Sequence, residues 1–206
     1  MRTLVLFALA ASSFAGIITN GSYTLTASDP TMPTRLDRDG VTSEWGVARS
    51  FPGTIDTGAF SFQEFVFNSG STPFIQVTFG DTLNLTDNIQ VALYTTALDP
   101  VNDLSIGWLG DAGLSTGDPQ SVTSFRTQVA TNTDYVLLFL DVNSNTLGGT
   151  GVCVEGFSTS DPVPTCTNYD GQLTLFAGSV PEPSSLALLG GLLPVLAYGR
   201  RKLRCN

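Results

Sequence analysis

The stretch Tyr135-Val136-Leu137-Leu138-Phe139-Leu140-Asp141-Val142 decides how the rest of the chain is read, because seven of its eight residues are apolar. Side chains on a strand alternate between two faces, so a run with no polar alternation offers water neither face. Such a run is predicted to be a central strand covered on both sides.

Working outward, the neighbouring segments repeat the signal in a weaker, one-sided form. Phe60, Phe62 and Phe65 or Phe67 alternate with polar residues; so do Phe74, Val77 and Phe79, and Val91 and Leu93 stand against Gln90 and Ala92. Period-two patterning cut by Gly, Pro, Asn and Asp predicts strands at 22–27, 59–67, 74–79, 89–95, 105–109, 121–129, 151–157 and 172–176. No stretch away from the two ends keeps a helical period for three turns. The expected fold class is all-β: a single β-sandwich or jelly-roll domain over residues 16–180. It is flanked by an N-terminal signal peptide and a short C-terminal apolar helix.

The charge distribution supports a chain in three parts. The 206 residues carry a formal net charge of −9, with no histidine. Residues 16–180 hold seventeen acids against four arginines (Arg35, Arg38, Arg49 and Arg126) and no lysine. An acidic, well-hydrated surface serves solubility outside a cell, attraction of divalent cations, or a basic partner, and it repels a phosphate backbone. Without histidine, the Ser-His and Cys-His nucleophile pairs are excluded. Nucleic acid is not expected as a partner, and no catalytic residue is expected.

Both termini read as addresses. Arg2 is followed by an apolar run from Leu4 to Ala11, then by Ser13-Phe14-Ala15, the small-x-small pattern that leader peptidase accepts. Residues 1–15 are therefore expected to be removed on export. The other end holds Pro181-Glu182-Pro183, an apolar run from Leu186 to Tyr198, and the basic residues Arg200, Arg201, Lys202 and Arg204. The prolines keep the first part extended and accessible to a protease. The helix from Ser184 to Tyr198 would be about 22 Å long, short of the roughly 30 Å hydrocarbon core. The basic cluster favours retention on the cytoplasmic side of the inner membrane, which places residues 16–180 across it.

Residues 181–206 resemble the PEP-CTERM sorting signal of bacterial exported proteins, in which a Pro-Glu-Pro motif, a short apolar helix and a basic cluster occur in this order. The resemblance implies recognition by an exosortase, a membrane-embedded cysteine transpeptidase or protease, with Pro181, Glu182 and Pro183 as the recognised residues. It also implies delivery to the envelope or extracellular matrix and an association with exopolysaccharide or biofilm. Pro194 interrupts the apolar run, and Leu203 to Asn206 extend past the usual ending. In the exported part, Phe60–Phe67, Ile89–Thr95 and Thr133-Asp134-Tyr135-Val136-Leu137 resemble pre-peptidase C-terminal-type sandwiches, which implies a non-catalytic accessory module.

Four candidate groups remain. Cys153 and Cys166 are expected to pair, closing a fourteen-residue loop worth roughly 3 kcal/mol in the chain-entropy model; as a metal site the pair lacks a third and a fourth ligand. Asp141, Asn143 and Asn145 place oxygens at alternate positions like the start of a Ca²⁺ loop. Thr146 and Val152 stand where an EF-hand needs Gly and Glu, so a strand-end turn in which Asp and Asn bond their own backbone competes with it. Glu44, Glu64 and Glu155 are the glutamates available for paired-carboxylate chemistry. Trp45, Trp108, Tyr94, Tyr135 and Tyr169 form a sugar-stacking face or pack as core and rim. The reading expected from these residues is an exported, non-catalytic structural or adhesive protein; the alternatives are a carbohydrate-binding or Ca²⁺-dependent module, and a permanently membrane-tethered domain.

Overall fold

A computed structural model of the chain describes residues 15–80, 88–117, 122–143, 148–160, 166, 168–169 and 172–173. Contacts divide the chain into Met1–Leu175 and Phe176–Asn206, and the second unit lies outside the described residues. The described part is all-β, with no helix among the described residues.

The strands, in chain order, are β1 (Ala15–Thr24), β2 (Thr31–Met32), β3 (Arg35–Leu36), β4 (Thr54–Ile55), β5 (Phe60–Asn68), β6 (Phe74–Gly80) and β7 (Ile89–Thr95). They continue with β8 (Trp108–Asp111), β9 (Thr123–Gln128), β10 (Asp134–Asp141), β11 (Gly149–Phe157), β12 (Asn168–Tyr169) and β13 (Gln172–Leu173). One sheet has the order β1-β11-β6-β9 and the other β2-β5-β10-β7-β8; β3 pairs with β4 and β12 with β13. Every pairing is antiparallel.

The decisive stretch lies at the centre of the five-stranded sheet, between β5 and β7. Leu137 stands opposite Phe65 on one side and Leu93 on the other, which fixes the parity of all three strands. Tyr135, Leu137 and Phe139 join one buried cluster with Ile75, Val77, Phe79, Val152 and Val154 of the four-stranded sheet. The two sheets therefore share a single apolar layer, and Tyr23 of β1 stacks on Phe139 at 4.3 Å across it. Val136, Leu138 and Leu140 point the other way, against Met32, Leu36, Ala92, Tyr94 and Leu104. The second cover thus comes from short strands and loops of the same domain. Each fully buried large side chain in these clusters contributes about 1.5–3 kcal/mol relative to exposure.

Two strands, β1 and β8, depart most from the sequence expectation. Strand β1 begins at Ala15, whereas alternation pointed to 22–27. A register shift between Ile17 and Thr19 puts the alternation before it out of phase with that after it. Strand β8 begins at Trp108 because 105–107 form a turn. There the Ser105 N–H donates to Asp103 Oδ1 at 2.9 Å, and Gly107 takes a φ of 74° that L side chains rarely adopt. The short strands β2, β3, β4 and β12 lay below any periodicity signal.

Candidate functional site

Strands β8 and β9 are edges of different sheets, and residues 37–53 run as a strap beside them. Ser43 joins the two edges. Its N–H donates to the Asp111 carbonyl of β8 at 2.9 Å, and its carbonyl accepts from the Arg126 N–H of β9 at 2.9 Å. Its hydroxyl oxygen accepts from the Asp111 N–H and from Arg49 Nη1, each at 3.1 Å. One buried serine thus satisfies edge groups that would otherwise need water or another strand.

Arg49 anchors the strap. Its Nη2 lies 2.6 Å from Asp39 Oδ1, and its Nη1 lies 3.1 Å from both Oδ1 and the backbone carbonyl of Asp111. The guanidinium carbon is 5.3 Å from the centre of the Trp108 ring, whose Nε1 donates to Asp111 Oδ2 at 3.1 Å. Asp111 is fully buried. Burial pushes its carboxyl above the ordinary value of 3.8, while the Arg49 charge and the donors of Gly113 and Trp108 pull it back. Burial, helped by the Asp111 charge, holds the Tyr94 hydroxyl far above its ordinary range.

Trp45, four residues before Arg49, locks the other side. Its Nε1 donates to the carbonyls of Ile75 at 3.1 Å and Thr127 at 3.0 Å, and its ring meets Phe74 and Phe157 edge-on. The Arg126 guanidinium lies 4.9 Å from that ring, donates through Nε to Gln76 Oε1 at 2.8 Å, and reaches Glu44 at 3.7 Å. Between strap and edges lies an open cleft of about 360 Å³, bordered by Glu44, Arg49, Trp108, Arg126 and Gln128. Its chemistry is that of polar recognition: guanidinium and amide donors, one carboxylate and part of an indole ring.

The sequence candidates fall as follows. Pro181, Glu182 and Pro183, with Arg200, Arg201, Lys202 and Arg204, lie outside the described residues. Cys153 and Cys166 are joined by a disulfide with the Cα atoms 6.3 Å apart. Asp141 is buried at the end of β10, where Oδ1 accepts the Asn143 N–H at 3.0 Å in a local turn; Asn145 lies outside the described residues. Glu44 borders the cleft, Glu64 stands on β5, and Glu155 is fully buried on β11. Tyr94 and Tyr135 are buried, and the two tryptophans are half-buried within the strap contacts, which is the core-and-rim alternative for these four. The side chain of Tyr169 lies outside the description.

Sequence reading missed Ser43, Arg49 and Asp111. The available signal was scarcity: in a lysine-free segment with four arginines, each arginine is a candidate anchor for one of the many acids. No family model, curated protein or solved structure matches the chain.

Proposed function

We propose that this chain is an exported protein of the cell envelope or extracellular matrix, sorted by an exosortase through residues 181–206, with a non-catalytic structural or adhesive role linked to exopolysaccharide or biofilm. The observation that carries the reading is the order of the tail: Pro181-Glu182-Pro183, the apolar run from Leu186 to Tyr198, then Arg200, Arg201, Lys202 and Arg204. One further observation agrees with it: the domain carries a disulfide, which suits an oxidising compartment.

The architecture that fits the strand orders is a jelly-roll sandwich. Counting only the eight long strands β1, β5, β6, β7, β8, β9, β10 and β11, one sheet runs first, eighth, third, sixth and the other second, seventh, fourth, fifth. Two nested Greek keys produce that order. The likeness to pre-peptidase C-terminal-type sandwiches favours an accessory module over a catalyst.

The test is the intact mass of the mature protein from the native host, in envelope and medium fractions. A chain starting at Gly16 and ending near Pro181 supports sorting and release. A mass that includes Asn206, with the protein in the inner membrane, overturns sorting in favour of a tethered domain. The cleft beside Arg49, Trp108 and Arg126 favours a second reading, a glycan-binding module. Retardation in gels containing neutral polysaccharide, lost in Trp108→Ala, is its expected signature.

A further inference from the structure

Cys153 and Glu155 are two residues apart on β11 and so project from the same face of the sheet. Cys166 arrives from beyond the strand, and its N–H donates to Glu155 Oε1 at 3.1 Å, holding the carboxylate beside the cysteine pair. The two sulfurs and a Glu155 oxygen all lie within 4.8 Å of one another, and all three residues are buried. Across the ladder on β6 stand Thr78, opposite Cys153, and Gln76, opposite Glu155, both buried, so oxygen-bearing side chains border the group.

We infer that Cys153, Cys166 and Glu155 form a zinc site whenever the disulfide is open. Two thiolates and a carboxylate are a ligand set Zn²⁺ accepts, with bonds of about 2.3 Å to sulfur and 2.0–2.2 Å to oxygen. Tetrahedral geometry then puts the ligand atoms about 3.5–4 Å apart. The three atoms are already closer than 4.8 Å, so opening the disulfide requires only that the sulfurs move to non-bonded separation.

The step balances with a dithiol reductant. One reductant thiolate attacks a cystine sulfur, the Cys153–Cys166 bond breaks, and the second reductant thiol resolves the mixed disulfide. The products are two cysteine thiols and one oxidised dithiol. Zn²⁺ then replaces the two thiol protons, which pass to solvent, and water takes the fourth position. The disulfide and the zinc site are therefore mutually exclusive states of the same three residues, and this inference stands apart from how the chain is sorted.

The experiment uses the full chain in mild detergent with Cys205→Ser as background, reduced, desalted without oxygen and titrated with Zn²⁺ against a chromophoric chelator. Circular dichroism follows the thermal midpoint in parallel. The expected result is one Zn²⁺ per reduced chain, with a midpoint raised by the metal. Binding should be weaker by about tenfold or more in Glu155→Gln and absent in Cys153→Ser and in the oxidised chain. Stoichiometric binding with equal affinity in Glu155→Gln overturns the assignment of the third ligand. Failure of the reduced chain to bind Zn²⁺, folded or unfolded, overturns the site.

Discussion

Arg49 Nη1 lies 3.1 Å from Asp111 Oδ1 with the Arg49 side chain 9% exposed and that of Asp111 0%, so the strap is fixed to the edge of β8 by a desolvated ion pair. The geometry matters because removing Arg49 leaves the buried Asp111 carboxylate without its charge partner, whereas Arg49 without Asp111 keeps Asp39.

Arg49→Met is therefore expected to lower unfolding stability by about 3–5 kcal/mol, measured by urea denaturation. Asp111→Asn added to that variant should recover part of the loss, because the orphaned carboxylate is gone. Additive losses in the double variant would show that the two side chains do not act as a pair.

Trp45 separates packing from hydrogen bonding. Trp45→Phe keeps an aromatic ring near Phe74 and Phe157 but removes the donor to the Ile75 and Thr127 carbonyls, and should cost about 1–2 kcal/mol. Trp45→Ala should cost about 3 kcal/mol or more, since the ring contacts go too. Equal midpoints for the two variants in a thermal melt would contradict this division.

The pH dependence follows from Asp111. Burial raises its carboxyl above 3.8 in the folded state, so just above that pH the folded chain holds more protons than the unfolded one. Stability contributed by this group is full at lower pH and falls as pH rises through the raised value. Asp29 acts in the opposite sense. The Thr26 N–H and then Gln63 lower its carboxyl, so its contribution is lost as pH falls below 3.8. Asp111→Asn should flatten the fall above 3.8 in denaturation series from pH 3 to 7 and leave the acid-side loss in place.

On β10, Leu137 and Leu138 face opposite sides of one sheet, yet both are fully buried. Each Leu→Ala change is expected to cost about 2–5 kcal/mol. A Leu138→Ala variant within 0.5 kcal/mol of wild type, the range usual for surface sites, would mean that the loop layer over Met32, Leu36 and Leu104 contributes no packing.

The central strand was readable because burial on both faces writes itself into contiguous residues, from Tyr135 to Val142. Most long strands were readable from a similarly local signal, alternation between neighbours; residues 15–21 of β1 were not, since the register shift between Ile17 and Thr19 breaks the alternation and Thr19, Asn20 and Gly21 carry no apolar period. Asp141 shows a limit of motif reading: the oxygen pattern that suggests a cation loop also suits a turn in which Oδ1 takes the Asn143 N–H.

The sequence by itself determined the all-β class, the place of the covered central strand, the acidic, histidine-free chemistry and the expectation of addresses at both ends, since each is a property of composition or of near neighbours along the chain. Only the tertiary structure decided that Ser43 links β8 to β9, that Arg49 reaches across 62 residues to Asp111, and that Glu155 stands beside both Cys153 and Cys166. Those relationships depend on which edges the two sheets bring together and on where a strap with no periodicity of its own is laid down. Chain order records neither, because long-range pairing is chosen by the packing of the whole core.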